Sequence, residues 1–202
     1  MSKHVYISAD YSPYDGDCEV VDELNRWGQD DLHKVEFCDM AKVSSGSVSQ
    51  GSDCRICDLK NEFNKQINAS STVIFVVGDK TKDRTAGSEC DRMNNSLSNS
   101  YCTPYKHNTC GKKQCKYYSI SVPGEGEDFG YINSYSYLRH EFEQARKKGK
   151  EIVILYNSTR KEIAWLPSYM KNYENVAIPF WYYDSGKKYG DYSYIKKVLG
   201  FE

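Results

Sequence analysis

One glutamate, Glu141, lies at a position where a carboxylate suits chemistry on a sugar. The nearby apolar residues Leu138, Phe142 and Ala145 recur at the spacing of one buried helical stripe. Each helical residue turns by about 100°, so Glu141 is expected roughly 70° to one side of this stripe, at its border. A partly dehydrated carboxylate that reaches over the edge of a sheet can stabilise positive charge that develops on a ribose.

The same border position has a simpler interpretation. His140 and Lys147 fall on the side of the predicted helix that faces solvent, and Glu141 lies between that side and the apolar stripe. A glutamate there can pair with a neighbouring cation such as Arg139 or Lys148, and exposed pairs of this kind contribute little to stability. The helical pattern by itself leaves both interpretations open.

Polar side chains follow the predicted strands, at the end where parallel α/β sheets bind ligands. Hydroxyl, carboxylate, lysine and aromatic groups occur together there, a mixture suited to a sugar and a base. The candidate substrate-binding residues are Ser8, Asp10 and Tyr11 after the first strand, and Gly78, Lys80 and Thr81 after the third. The segment 157–159 after the fourth strand is polar as well. Loops are commonly polar for other reasons, so these residues are informative only together with Glu141.

The elements that must position these residues alternate between strands and helices. Apolar, β-branched runs predict strands at residues 5–8, 35–38, 72–78, 151–156 and 176–181. Helical periodicity predicts helices within residues 18–27, 59–67, 135–150 and 194–199. This alternation is typical of a single α/β domain, residues 1–202, with a flavodoxin-like open parallel sheet of about five strands and helices on both faces. Pro179 predicts that the fifth strand lies at the sheet edge or ends there.

The regular pattern is interrupted between the third strand and the Glu141 helix. Residues 84–134 are rich in Ser, Asn, Cys, Gly and Tyr and are predicted to form an insertion, since a structureless loop of this length is uncommon in a compact domain. Cysteines in this segment can brace it by binding zinc as thiolates, or they remain free thiols. They are Cys90, Cys102, Cys110 and Cys115. The C-x-x-C pair Cys54 and Cys57 precedes the second helix and suits either a redox role or free thiols.

The composition argues against several functional classes. The 202 residues carry a net charge of -1, which does not favour binding to nucleic acid or to an acidic membrane surface. The N-terminal segment lacks the charged-then-apolar pattern of a signal peptide, and no apolar run approaches the ~20 residues that cross a bilayer. We therefore expect a cytoplasmic protein, in which the 8 cysteines are reduced thiols or metal ligands.

Three segments, in this order along the chain, resemble the TIR-like subunit of Thoeris antiphage systems. They are residues 5–11, the strand 73–78, and the run Tyr137-Leu138-Arg139-His140-Glu141-Phe142 with the charged, glycine-containing stretch and strand 147–154 that follow it. The resemblance implies a TIR-like fold in which Glu141 is the catalytic residue. It further implies that the dinucleotide contacts are Ser8, Asp10, Tyr11, Gly78, Lys80 and Thr81. The family has a much shorter connection in place of residues 84–134.

Members of that family process NAD, and the resemblance implies the same activity here. An enzyme of the NAD nucleosidase or ADP-ribosyl cyclase type would break the nicotinamide–ribose bond and make a cyclic or conjugated second messenger derived from ADP-ribose. The family also implies a phage-derived trigger, a homo-oligomer, and a separate effector protein that receives the diffusible signal. NAD is then the substrate and not a bound cofactor. Structural zinc in the segment 84–134 is the other group that the sequence suggests.

Other functions remain compatible with the pattern. A TIR-like scaffold would assemble through its surface without catalysis, and it would not need Glu141 beside a polar loop. A phosphoacceptor receiver domain shares the alternating topology, with Asp79 and Ser158 in suitable places. That class requires an acidic pair after the first strand and a lysine before the proline, whereas Ile178 precedes Pro179 here. A nucleoside deoxyribosyltransferase also uses a glutamate on a sugar, but it prefers nucleosides to a dinucleotide.

Overall fold

The computed structural model describes residues 3–11, 17–31, 35–40, 55–84, 106–107, 113–114 and 136–201. The strands are β1 (Lys3–Ser8), β2 (Val35–Asp39), β3 (Thr72–Val77), β4 (Lys106–His107), β5 (Lys113–Gln114), β6 (Glu151–Tyr156), β7 (Ile178–Pro179), β8 (Trp181–Asp184) and β9 (Lys187–Gly190). The α-helices are α1 (Cys18–Trp27), α2 (Arg55–Ala69), α3 (Tyr137–Lys147) and α4 (Tyr192–Val198). Short 3₁₀ segments cover Thr81–Asp83, Ile163–Trp165 and Ser168–Tyr173.

Five strands form one parallel sheet in the order β2-β1-β3-β6-β7. The central strand is β3, which pairs in parallel with β1 on one side and with β6 on the other. Its sequence is Thr72-Val73-Ile74-Phe75-Val76-Val77, and every one of these residues is buried. A strand of such apolar, largely β-branched composition suits a position where helices cover both of its faces.

Helices cover both faces of this sheet. Successive side chains of a strand point to opposite faces, and in β3 residues Ile74 and Val76 join one apolar cluster whereas Val73, Phe75 and Val77 join the other. The first cluster also contains side chains of α1 and α4, and the second contains side chains of α2, α3 and the last 3₁₀ segment. The expected α/β architecture, a parallel five-stranded sheet between two helical layers, is confirmed.

The strand order reverses direction between β1 and β3. The chain passes from β1 outward to β2, returns to β3 on the other side of β1, and then continues to β6 and β7. The loops that leave the carboxyl ends of β1 and β3 therefore diverge, which opens a crevice of the kind in which parallel α/β sheets bind ligands. Ser8 ends β1, and Gly78 follows the end of β3, so both predicted binding segments begin at this crevice.

The fifth sheet strand is shorter than the sequence predicts. Strand β7 contains Ile178 and Pro179, and it pairs with the end of β6 at the sheet edge. Pro179 has no N–H to donate to the ladder, which explains the early end. Trp181 instead begins the antiparallel β8–β9 hairpin. The turn of this hairpin places Ser185 at φ 49° and Gly186 at φ 78°, and two-residue hairpin loops favour positive φ at both central residues.

Little of the predicted insertion falls within the described residues. Strands β4 and β5 pair there as a short antiparallel ladder. The candidate zinc ligands Cys90, Cys102, Cys110 and Cys115 lie outside the described residues. Among the residues that are described, no three or more His, Cys, Asp or Glu side chains are grouped to hold a metal ion. No helix among the described residues has the length and apolar character needed to cross a bilayer.

Candidate active site

Helix α3 carries Glu141 into the interior of the protein. The helix begins at Tyr137 because Ser136 caps it, with the Arg139 N–H donating to Ser136 Oγ at 3.0 Å. Such a cap satisfies one of the N–H groups that the first helical turn leaves without a partner. Glu141 lies one turn further along, and its exposed fraction is 0%. The carboxylate is therefore more deeply buried than the border position expected from the sequence.

Two hydroxyl groups of β1 hold the Glu141 carboxylate. Tyr6 Oη donates to Glu141 Oε1 at 3.1 Å, and Ser8 Oγ donates a short hydrogen bond to Glu141 Oε2. Residues two apart project from the same face of a strand, so β1 presents both hydroxyls to α3. Each carboxylate oxygen thus accepts a hydrogen bond from a buried donor. Sequence analysis identifies Ser8 but misses Tyr6, although the same period of two within β1 carries the signal.

His140 is also buried, contrary to the solvent-facing position that the sequence predicts for it. Its Nε2 lies 2.8 Å from Asn64 Oδ1 and 3.3 Å from the Lys60 carbonyl oxygen. Both of these residues belong to α2, which packs along α3. The apolar pattern of one helix does not show how far its neighbours cover it, and here α2 covers the flank that carries His140.

Burial governs the protonation of Glu141. Loss of hydration raises the pKa of its carboxyl group to about 8, and the hydrogen bonds from Ser8 and Tyr6 and the charge of Lys60 act in the opposite direction. Burial, together with the Glu141 carboxylate, raises the pKa of Tyr6 well above its ordinary value, so this phenol keeps its proton and remains a donor. A cation that arrives beside Glu141 would favour the ionised carboxylate.

A hollow of about 90 Å³ lies at the carboxyl ends of β1 and β3 and at the start of α3. Its lining residues are Ala9, Asp10, Met40, Thr81, Arg84, Ser136, Tyr137 and Leu138. Ala9 follows Ser8 in the chain and Leu138 lies about one helical turn before Glu141, but the buried Glu141 carboxylate does not itself line the hollow. The volume is below the ~300–1,000 Å³ of typical ligand pockets. A ligand of the usual size would require the hollow to widen.

Several predicted binding residues come together around the hollow. Asp10 and Thr81, two of the predicted binding residues, line it. Gly78 adjoins them, because its N–H donates to Thr81 Oγ1 at 2.7 Å. Arg84, which sequence analysis misses, lines the hollow as well, and its Nε donates to Asp10 Oδ2 at 2.5 Å. The 3₁₀ turn Thr81–Asp83 separates Arg84 from β3, so no pattern within the strand points to this residue.

Lys80 and Tyr11, both predicted to contact substrate, lie elsewhere. Lys80 is exposed, and its Nζ lies 3.8 Å from Asp79 Oδ2. Tyr11 is half-buried and packs against the apolar cluster on the α1 side of the sheet. Neither is among the described residues that line the hollow. A ligand would meet these two side chains only if it extended beyond the hollow.

A second buried carboxylate, Asp17, lies at the start of α1 and supports the loop after β3. Its exposed fraction is 3%. Asn157 Nδ2 donates to Asp17 Oδ1 at 2.9 Å, and Trp181 Nε1 donates to Asn157 Oδ1 at 2.7 Å. Burial raises the pKa of Asp17 to about 6, while the hydrogen bond from Asn157 opposes this. A Cβ atom at Gly78 would clash with the Asp17 carboxylate, so this close approach requires glycine.

The site region contains a buried carboxylate, Glu141, and a small hollow of mixed polar and apolar lining at the switch point of the sheet. A charge in a water-poor region acts more strongly on a developing opposite charge than the same charge in water. A buried carboxylate such as Glu141 would act strongly on a cation brought close to it, and Arg84 lines the hollow in an ion pair with Asp10. No model of a known protein family and no curated protein sequence matches this chain.

Proposed function

We propose that this protein cleaves the nicotinamide–ribose bond of NAD and that Glu141 is the catalytic carboxylate. The observation that carries the proposal is the burial of Glu141 against Ser8 and Tyr6, at the end of the sheet where a hollow opens at the carboxyl ends of β1 and β3. The resemblance of residues 5–11, 73–78 and 137–154 to the Thoeris TIR-like subunit supports the same substrate.

The strand order supports the proposed architecture. When the five sheet strands are counted in chain order, β2-β1-β3-β6-β7 is the 2-1-3-4-5 order of flavodoxin-like sheets. We infer a TIR-like variant of this architecture from the order together with the resemblance. In sheets of this order the ligand lies at the switch point between the first and third strands, which is where the hollow is.

In the proposed reaction the bond between ribose C1′ and the nicotinamide nitrogen breaks. The electron pair of that bond goes to nicotinamide, which leaves as a neutral molecule and needs no proton. Positive charge develops on the ribose, and the Glu141 carboxylate stabilises it. A nucleophile then bonds to C1′. Water yields ADP-ribose after it loses a proton to solvent, an adenine nitrogen of the same molecule yields a cyclic product, and a second substrate yields a conjugate.

The protonation state of Glu141 is consistent with a cationic substrate. In the free protein, burial raises the pKa of this carboxyl group to about 8, so much of it is protonated near neutral pH. The nicotinamide ring of NAD is positively charged, and a cation beside a carboxyl group lowers its pKa. Substrate binding would therefore generate the reactive carboxylate. Ser8 and Tyr6 already donate to its two oxygens, so they hold it in place as it ionises.

The resemblance extends the proposal to antiphage defence. A phage-derived trigger would activate the protein as a homo-oligomer. The ADP-ribose-derived product would then act as a diffusible second messenger on a separate effector protein. This setting predicts that the purified protein is less active alone than in the presence of its trigger.

Incubation of the full chain with NAD tests the activity. We expect free nicotinamide and an ADP-ribose-derived product on chromatography, either with the protein alone or after addition of lysate from phage-infected cells. A parallel reaction with Glu141→Gln corrects for NAD cleavage by the lysate itself. The mass of the product identifies the nucleophile. Equal NAD consumption by the two proteins under both conditions would contradict the proposal.

The β8–β9 hairpin favours a second candidate function, a TIR-like scaffold without catalysis. It exposes Tyr182, Tyr183 and Tyr189 by 48%, 65% and 42%, and the rings of Tyr182 and Tyr189 stack with centroids 5.9 Å apart. Aromatic side chains are enriched in protein–protein interfaces. The NAD assay separates the two functions, because a scaffold leaves NAD intact.

Structural zinc stays a prediction for the segment 84–134. Four thiolates would hold one ion tetrahedrally and brace a polar segment that has few apolar residues of its own. The proposed ligands are Cys90, Cys102, Cys110 and Cys115. Metal analysis of protein purified without chelator is expected to give about one equivalent of zinc per chain. A content below about a tenth of an equivalent would contradict the site.

A further inference from the structure

Lys60 is a buried charged residue to which the proposed mechanism assigns no role. Lysine is almost never fully buried unless its charge is compensated, yet the Lys60 side chain is 0% exposed. It lies on α2, and its backbone carbonyl oxygen is 3.3 Å from Nε2 of His140, the neighbour of Glu141. Lys60 and Glu141 are thus two fully buried charged residues on helices that pack against each other, α2 and α3.

We propose that Lys60 is a positioning residue that favours the ionised form of Glu141, the form needed to stabilise the ribose cation. This inference rests on the proposed function. Attraction between opposite charges is stronger in a region without water than at the surface. A buried carboxylate without a nearby cation would be an uncompensated charge. It therefore takes up a proton and becomes neutral.

Other described elements bring different titratable groups to Glu141. They are Tyr6 of β1 and Tyr169 of the 3₁₀ segment Ser168–Tyr173. Burial raises the pKa of both phenols, so both stay neutral. Within α3, His140 contacts α2, and the guanidinium of Arg139 lies 5.6 Å from the centre of the Tyr169 ring. The cation that lowers the pKa of Glu141 against the effect of burial is Lys60.

The pH dependence of catalysis tests this role. We expect kcat/KM for nicotinamide release to rise with pH as Glu141 ionises in the free protein. Lys60→Met removes the charge and keeps an unbranched side chain, and it should move this rise upward by about one pH unit or more. At pH values below the wild-type rise, kcat/KM of the Lys60→Met variant is then about tenfold lower than that of the wild type. On the high-pH plateau the two values differ less. Lys60→Arg, which keeps the charge, should restore the wild-type position.

Lys65 offers a matched control on the same helix. Its exposed ammonium pairs with Glu62 at 2.7 Å, three residues earlier. Lys65→Met also removes one positive charge from α2, but it should leave the pH of the rise unchanged because that charge is exposed and far less coupled to a buried group. Coincident pH profiles of wild type and Lys60→Met would overturn the proposal.

A stability measurement distinguishes failure of this inference from failure of the proposed function. At about pH 9, Lys60→Met should lower the Tm of the wild-type chain by roughly 2–5 °C, because Glu141 without its cation must take up a proton to stay buried. In a protein that already carries Glu141→Gln, Lys60→Met should lower the Tm by less than about half of that amount. Equal losses in both backgrounds would refute the pairing. A large difference without any NAD cleavage would refute the NAD chemistry and retain the pair. Lys60→Gln replaces Lys60→Met if the methionine variant does not fold.

Discussion

Replacement of Glu141 by glutamine is expected to lower the rate of nicotinamide release from NAD by about 10³-fold or more. Glutamine keeps the size of the side chain and one acceptor oxygen, but it removes the negative charge that stabilises the ribose cation. The carboxylate is fully buried, so solvent does not substitute for that charge. The measurement is nicotinamide release under the condition in which the wild-type protein is active.

Glu143→Gln is the matched control for this substitution. Glu143 lies on the same helix, is partly exposed and pairs with Arg146 at 3.3 Å. Exposed pairs contribute little, so the control should keep nicotinamide release within about twofold of wild type. Circular dichroism and thermal unfolding establish that both variants fold. Wild-type release by a well-folded Glu141→Gln protein would remove Glu141 from the mechanism.

Replacement of Asp17 by asparagine is expected to raise the free energy of unfolding by about 3 kcal/mol at pH 8 and to change it little near pH 3.5. Burial raises the pKa of Asp17 from 3.8 to about 6. Between these values the folded protein holds a proton that the unfolded chain releases, so wild-type stability falls as pH rises through this window. Asn157 still finds an acceptor oxygen at position 17 in the variant, so the hydrogen bond survives.

Urea unfolding of both proteins at pH 3.5, 5 and 8 measures this effect. Asp22→Asn provides the control, because Asp22 is an exposed carboxylate of the same helix. We expect its stability to follow that of the wild type at every pH, within about 0.5 kcal/mol. A gain for Asp17→Asn that is equally large at pH 3.5 and at pH 8 would show that ionisation is not its cause.

The central strands are predictable from short stretches of sequence. The sequence predicts β6 at its observed bounds, Glu151–Tyr156, and it predicts β3 within one residue of Thr72–Val77. A buried parallel strand has to be apolar on both faces, and that requirement is met by a continuous run of neighbouring residues.

The edge of the sheet is less predictable than its central strands. The pattern through Trp181 continues past Pro179, whereas the ladder ends at the proline and the chain turns into a hairpin.

The candidate site is predictable in its residue types more than in its contacts. The pattern of α3 predicts that Glu141 borders an apolar stripe, and the loop rule predicts Ser8, Asp10 and Thr81 beside it. How deeply Glu141 is buried depends on the neighbouring elements. Among them, α2 covers a flank of α3 that the apolar pattern of α3 alone assigns to solvent. For the same reason the prediction for His140 is wrong, since its partners come from α2.

By itself, the amino-acid order determined the alternation of strands and helices and the polar ends of β1 and β3. Both follow from periodicity among near neighbours, which physical chemistry relates directly to local structure. The helical pattern placed Glu141 only at the border of an apolar stripe, and its choice as the candidate carboxylate came from the resemblance. Only the tertiary structure decided that Tyr6 donates to that carboxylate and that Arg84 reaches Asp10. Those contacts join residues more than 70 positions apart, and their approach depends on how several elements pack at once.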